Sequence, residues 1–310
     1  MTTFREIYTG KPIEQTPDFE SAETLNSPEL YQPSKALKSA VNIAIHLGKP
    51  LLLTGEPGTG KTQLAYSLAY SLNQGKPLIF NTRTTSVAND LFYKYDALKH
   101  LQYVHAKQNQ VLTDSEVEEK FIRYQALGQA IMANERKVVL IDEVDKAPRD
   151  LPNDILNVLE DMSFDVPEIN RSYKSPNAKK PIIIMTSNSE KNLPDAFLRR
   201  CVFYHINFPT EAELLEIVVK KSAGKNITNK DLGKYVLPHF LKVRQTLKRK
   251  KPSVSELLHW ASLLEQMNFP VQKFDNLKSL NEDQKNQLLM TYSVLAKNED
   301  DVKIIRQFLK

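Results

Sequence analysis

The chain has 310 residues, of which 41% are hydrophobic and 25% are charged, and its formal net charge is +5. These values are typical of a globular protein with one large or two smaller domains, and so mild a basic excess does not by itself indicate nucleic-acid binding. The single cysteine excludes an intramolecular disulfide, and no apolar run has the length of a membrane span, so we expect a cytoplasmic protein without membrane insertion.

Strand and helix patterns alternate over the first two thirds of the chain, after a polar lead-in of about 30 residues. The strand candidates are KPLLLTG (49–55), PLIFN (77–81), VVLID (138–142), PIIIMTSN (181–188) and VFYHINF (202–208). Helical spacing is found between them, notably at 33–48, 61–75, 116–134 and 151–162. Because most of the strands are apolar on both faces, the pattern predicts an α/β fold with a parallel sheet covered by helices on two sides.

The strand pattern ends at Pro209, and helical spacing continues to the end of the chain. This change predicts an α/β domain at 31–209 followed by a smaller all-helical domain at 210–310. One connection inside the α/β domain is unusually long, namely the one between the strand candidates at 77–81 and 138–142. A crossover between parallel strands needs only about a dozen residues. We therefore expect a structured insertion at 82–137.

The segment GEPGTGKT (55–62) fits the phosphate-loop pattern G-x-x-x-x-G-K-[ST], and it lies between a predicted strand and a predicted helix. Phosphate oxygens must meet several backbone N–H groups at once, and side chains would obstruct that approach. Lys61 is predicted to neutralise the β- and γ-phosphates, and the Thr62 hydroxyl to coordinate Mg²⁺. The predicted nucleotide contacts are Gly55, Glu56, Pro57, Gly58, Thr59, Gly60, Lys61, Thr62 and Gln63. The alternative is a glycine-rich turn that matches the pattern by chance.

Polar side chains follow two further predicted strands. Asp142 and Glu143 come at the end of VVLID, where Asp142 would hold Mg²⁺ and Glu143 would polarise the attacking water. Asn188 ends PIIIMTSN, and its amide is predicted to orient that water. Open α/β sheets bind ligands at this carboxyl edge. Taken alone, T-S-N is equally typical of a plain strand-to-loop turn.

Together these motifs resemble the AAA+ ATPases, and within them the MoxR-type branch. The resemblance rests on TGEPGTGKT, LIDEVDKAPRDLPNDILNVLED and TSNSEKNLPDAFLRRC. The stretch DKAPRDLPNDILNVLED, with FDVPEI after it, is most similar to the ATPases that mature carbon monoxide dehydrogenase. The resemblance implies ATP and Mg²⁺ as cofactors, a usually hexameric ring, a helical lid and a hairpin, which we place at 163–176. It also implies a protein client and a partner with a von Willebrand factor A domain.

The resemblance assigns further roles to single residues. Asn188 corresponds to the sensor-1 residue, and Arg200 or Arg199 to the arginine finger that reaches a neighbouring subunit's ATP. A sensor-2 arginine would be expected within KRKKPSVSELLHW (248–260), but PSVS has serine there. Arg249 or Lys251 would have to replace it.

Three functions are compatible with these motifs. The first is Mg²⁺-dependent ATP hydrolysis by a ring that remodels or matures a partner or client protein. The second is a nucleic-acid-dependent motor or loader, for which the basic run LKRKK (247–251) is the one local feature, although no aromatic residues interleave it to stack bases. The third, a kinase-like phosphotransferase, is disfavoured by the adjacent Asp142 and Glu143 and by the helical lid.

Overall fold

A computed structural model describes residues 27–107, 111–148, 151–188, 193–221 and 227–309. Most of the predicted lead-in, residues 1–26, lies outside the described residues. By their contacts, the described residues divide into two compact units. Residues 33–55 and 61–206 form the α/β unit, and residues 27–32, 56–60 and 207–309 form the helical unit. Five residues of the GEPGTGKT loop, Glu56–Gly60, therefore pack with the helical unit.

The α/β unit is built on a parallel sheet. The strands described in the chain are β1 (Leu51–Gly55), β2 (Leu78–Asn81), β3 (Tyr93–Tyr95), β4 (Ile122–Tyr124), β5 (Val138–Asp142), β6 (Ser163–Val166), β7 (Arg171–Lys174), β8 (Ile182–Thr186) and β9 (Val202–Ile206). Five of them form one sheet in the order β2-β5-β8-β1-β9, and all its pairs are parallel. β1 and β8 are buried along their whole lengths, as the apolar runs predict. The predicted fold class is confirmed, and the carboxyl ends of β5, β8 and β1 lie next to one another.

Helices surround this sheet and make up most of the second unit. The described α-helices are α1 (Lys35–Leu47), α2 (Lys61–Ser71), α3 (Ala97–Ala106), α4 (Asp114–Phe121), α5 (Ala126–Met132), α6 (Leu151–Asp161), α7 (Asp195–Leu198), α8 (Glu211–Lys221), α9 (Asn229–Asp231), α10 (Leu237–Thr246), α11 (Val254–Gln266), α12 (Glu282–Thr291) and α13 (Glu299–Arg306). α1, α2 and α5 pack against the sheet. Within the described ranges, none of the helices combines the length and the apolar composition that a bilayer crossing requires.

The predicted helix at 116–134 is wrong, because the structure divides it into α4, strand β4 and α5. β4 pairs antiparallel with β3, with Tyr93 opposite Tyr124. The Phe92 carbonyl also accepts a hydrogen bond from the Gln125 N–H at 2.7 Å. A partner strand about thirty residues away in sequence thus interrupts a segment whose local spacing favours a helix.

Gly128 in α5 lies directly against the backbone at Phe92. A Cβ atom at this position would be 2.1 Å from the Phe92 carbonyl oxygen, which is backbone and cannot rotate away. We expect Gly128→Ala to lower the free energy of unfolding by about 1–3 kcal/mol in urea titrations, although alanine favours the helix. Met132→Ala, at a 38%-exposed position of the same helix, is the control and should have a smaller effect. A Gly128→Ala protein as stable as wild type would contradict this packing.

Strands β6 and β7 pair antiparallel and form a ribbon, which shares one hydrogen-bonded cluster with the insertion. Glu118 of α4 accepts hydrogen bonds from the hydroxyls of Tyr124 at 2.6 Å and Tyr173 at 2.9 Å, and forms an ion pair with Arg171 at 2.5 Å. The Tyr124 hydrogen bond contributes most to holding the pKa of Glu118 below its usual value. Phe164 stacks on Tyr173 with 5.2 Å between ring centroids. The insertion and the ribbon therefore form one packed body.

The helical unit has an aromatic core around the chain's one tryptophan. Trp260 is fully buried, and its indole N–H donates to the Thr291 hydroxyl at 3.0 Å. His239 stacks on Phe274, and its Nε2 lies 2.6 Å from the Tyr292 hydroxyl oxygen. Burial lowers the pKa of His239 to about 3, so its imidazole is neutral at physiological pH.

Candidate active site

The GEPGTGKT loop connects the end of β1 to the start of α2. Gly58 and Gly60 have φ angles of +75° and +90°, which residues with a side chain rarely adopt. The Thr59 hydroxyl closes a tight turn by donating to the Glu56 carbonyl at 2.8 Å. α2 begins directly after this bend, and its first N–H groups lack helical partners and favour an anion. The predicted contact Gln63 lies half-buried in the first turn of α2.

Lys61 is held inside the loop. Its side chain is buried, with 8% of the residue exposed, and its Nζ donates to the Gly55 carbonyl at 2.7 Å. Burial lowers the pKa of Lys61, while the charges of Asp142, Asp145 and Glu143 act in the opposite direction. A buried ammonium is stabilised by facing anions, and a phosphate group in this loop would supply more negative charge.

Asp142 ends β5 and lies beside two threonine hydroxyls. The Thr62 Oγ1 is 3.3 Å from each carboxylate oxygen of Asp142, and the Thr186 hydroxyl donates to Asp142 Oδ1. Carboxylate and hydroxyl oxygens are hard donors of the kind that Mg²⁺ prefers, so the residues present fit the predicted ion. The sequence predicts Thr62 and Asp142 as ligands. From the sequence, Thr186 is only a polar residue at the end of a predicted strand. Its contact with Asp142 arises because β8 lies beside β5 in the sheet.

Glu143 lies next to Asn188 and carries an unusual backbone. Its φ is +57°, and its N–H donates to the Thr186 hydroxyl at 2.9 Å. The Asn188 amide nitrogen is 3.4 Å from Glu143 Oε1, while Lys146 forms an ion pair with Oε2. The left-handed conformation of a non-glycine residue stores strain, which often occurs at functional sites. The sequence analysis does not predict the ion pair of Lys146 with Glu143. The only signal for it in the sequence is the spacing of three residues between them.

Arg199 and Arg200 lie on the surface of the α/β unit. Both follow the last residue of α7 and precede Cys201 and β9, and both are exposed. Cys201 is partly buried, and its thiol donates to the Phe197 carbonyl at 3.3 Å. Burial raises the pKa of Cys201 to about 12, which does not favour a reactive thiolate. In this segment the exposed guanidinium groups of Arg199 and Arg200, and not the Cys201 thiol, are therefore the candidates for a catalytic role.

In the 248–260 segment, where a sensor-2 arginine is expected, the candidate cations lie in a loop and the serine at position 253 caps a helix. Arg249 and Lys251 are exposed in the loop between α10 and α11. Ser253 caps α11, because its hydroxyl accepts a hydrogen bond from the Glu256 N–H. Serine at this position is thus explained by helix capping.

A match to a known protein family lies on the α/β unit. Residues 50–201 match the AAA domain family in its dynein-related subfamily. The matched range begins before β1 and ends after α7, so it contains the GEPGTGKT loop, Asp142, Glu143 and Asn188. This part of the chain is therefore similar to AAA domains, and the GEPGTGKT loop lies in it between a strand of the parallel sheet and a helix.

The proteins that resemble the chain include two curated relatives and one solved structure. Lon protease from Finegoldia magna is 26% identical over 206 residues, which are 63% of this chain and 21% of that protein. The uncharacterized protein YehL from Escherichia coli K12 is 24% identical over 210 residues, which are 66% of this chain and 54% of that protein. A solved structure, a RuvB variant from Thermotoga maritima, is 16% identical with a TM-score of 0.42 and covers 83% of this chain and 74% of its own. Because the match spans only part of both curated relatives, the function is inferred from the chain's own site.

Proposed function

We propose that this chain, whose residues 50–201 match the AAA domain family, is a Mg²⁺-dependent ATPase that binds ATP at the GEPGTGKT loop and transfers its γ-phosphate to water. The observation that carries the proposal is the convergence of one complete set of groups. Lys61 and Thr62 begin α2, while Asp142 and Glu143 end β5 or follow it, and Asn188 follows the neighbouring strand β8. The hydrogen bonds from Thr62 to Asp142 and from Asn188 to Glu143 join all three elements.

Each of these side chains has a definite task in phosphoryl transfer. Asp142 and Thr62 would hold Mg²⁺, which when bound neutralises charge on the phosphates. The Lys61 ammonium binds the β- and γ-phosphates and places the terminal phosphorus beside Glu143. The Glu143 carboxylate accepts a hydrogen bond from the attacking water, and the Asn188 amide, 3.4 Å from that carboxylate, orients the same water. Catalysis here is positioning and electrostatic stabilisation.

We further propose that the chain works in the cytoplasm as a ring, usually of six copies, that remodels a client protein together with a partner bearing a von Willebrand factor A domain. What supports this is the resemblance of the GEPGTGKT, DEVDKAP and LPDAFLRRC segments to MoxR-type ATPases and the exposed Arg199 and Arg200. A nucleic-acid motor is not favoured, because the exposed cations at 248–251 have no aromatic neighbours in sequence for base stacking.

Phosphate release by the purified chain tests the ATPase proposal. We expect release from ATP with Mg²⁺ and none with excess chelator. Lys61→Ala should raise the dissociation constant for ATP at least about tenfold, because a charge-assisted contact to phosphate is lost. Lys38→Ala on the exposed side of α1 is the matched control and should bind as wild type does.

Two outcomes would contradict the proposal. The first is the absence of Mg²⁺-dependent phosphate release by wild-type protein. The second is strong stimulation by DNA or RNA that falls steeply with salt, which would instead indicate a nucleic-acid motor.

A further inference from the structure

Arg244 of α10 is a buried cation with three defined contacts. Only 8% of the residue is exposed, and its guanidinium carbon lies 3.5 Å from the ring centroid of Phe208. One terminal nitrogen donates to the Pro252 carbonyl at 2.5 Å, and the other forms an ion pair with Glu56 Oε2 at 2.5 Å. A buried guanidinium is strongly destabilising unless its charge is paired, so the carboxylate of Glu56 balances it.

Glu56 is the second residue of the GEPGTGKT loop, and the loop has a further close contact in the same unit. A Cβ atom on Gly58 would lie 2.5 Å from the Cβ and hydroxyl of Ser253. Ser253 is fixed in turn, because it caps α11. The loop is thus held at position 56 by an ion pair with α10 and at position 58 by contact with the start of α11.

We propose that Arg244 is a positioning residue, which holds the phosphate loop in its binding conformation through Glu56. Two glycines with left-handed φ give the loop other accessible conformations, and binding requires several of its N–H groups to face one phosphate at the same time. The ion pair restricts those alternatives before the nucleotide arrives. Arg244 is not a phosphate ligand here, because both of its terminal nitrogens already donate to protein oxygens.

This inference rests on the proposed ATPase function. It predicts that removing the charge of Glu56 changes the affinity for ATP in the opposite direction to that expected from charge alone. Removing the Glu56 charge takes a negative group away from the phosphate site, so charge alone predicts tighter ATP binding. If the ion pair positions the loop, the same change weakens binding. The cation that contacts the loop belongs to α10, whereas the resemblance expects a sensor-2 arginine within 248–260.

The test is a double-mutant cycle of Glu56→Gln, Arg244→Gln and the combined variant, read by binding of a fluorescent ATP analogue and by steady-state phosphate release. We expect each single change to raise the dissociation constant and KM about tenfold while kcat changes less than about twofold. The combined variant should bind no more weakly than the worse single one, because both changes remove the same contact. Glu299→Gln, which breaks an exposed Glu299–Lys303 pair in the same unit, is the control and should bind as wild type does.

Thermal unfolding of each variant separates loop positioning from loss of fold. If Arg244→Gln unfolds, Glu56→Gln still decides the question, because the Glu56 side chain is half exposed and its change keeps the guanidinium in place. Tighter or unchanged ATP binding by Glu56→Gln, or additive effects in the combined variant, would overturn the positioning role while leaving the ATPase intact. A wild-type protein that binds no ATP would overturn both proposals.

Discussion

Replacing Glu143 with glutamine is expected to leave ATP binding close to wild type and to lower turnover by about 10²–10⁴-fold. Glutamine has nearly the shape of glutamate, but its amide cannot take up a proton or polarise water in the way a carboxylate does. Asn188 lies 3.4 Å from Glu143 Oε1, so in the proposed mechanism these two side chains position the attacking water together. Single-turnover phosphate release with saturating ATP measures the chemical step, and analogue binding measures affinity.

Glu135→Gln is the matched control for this experiment. Glu135 is also a carboxylate near β5, but it precedes the strand, is exposed and pairs with Lys137. We expect its replacement to change turnover by less than about twofold, since exposed ion pairs contribute little. If Glu143→Gln keeps more than a tenth of wild-type turnover, another group activates the water and the proposed role of Glu143 is wrong.

If Arg200 is the proposed arginine finger, removing its guanidinium is expected to lower turnover by the factor measured for arginine fingers in GTPases, about 10³–10⁵-fold, while ATP still binds. Arg200 is exposed at the end of α7, and in a ring it would stabilise charge on the phosphate transferred in a neighbouring subunit. Arg199→Ala is the comparison variant, because it removes the same group from the adjacent position. A large loss with Arg199→Ala and a small one with Arg200→Ala would reverse the assignment.

Mixing variants tests whether the arginine acts between subunits. Arg200→Ala supplies an intact phosphate loop, and Lys61→Ala supplies an intact arginine, so mixed rings contain some complete sites. We expect the mixture to hydrolyse ATP faster than the sum of its two components. Mixed rings that form, by native mass measurement, but show no such gain would indicate an ordinary surface arginine at position 200.

The parts of the fold that follow from local sequence were predictable. β1, β5 and β8 are short apolar runs, and GEPGTGKT has its pattern between a strand and a helix, so both could be located without coordinates. β4 could not, because Ile122–Tyr124 forms a strand only against β3, which is distant in sequence. The fold class was therefore accessible from periodicity, whereas the interruption of the 116–134 segment depended on tertiary pairing.

The site shows the same division. Lys61, Asp142 and Glu143 carry motifs that specify their chemistry, whereas Thr186 and Arg244 are ordinary residues until the strand order and the packing of α10 place them. Arg244 could not be identified from the sequence, because a buried guanidinium is recognised by its surroundings, and one sequence does not contain them.

The fluorescence of Trp260 reports on the helical unit alone. It is the one tryptophan in the chain and is fully buried among the helical unit's aromatic residues. Excitation at the red edge of protein absorption therefore produces emission that originates in the helical unit alone, while far-ultraviolet circular dichroism averages over both units. Recorded together during denaturation, the two signals distinguish a chain that unfolds in a single cooperative step from one whose helical unit opens first.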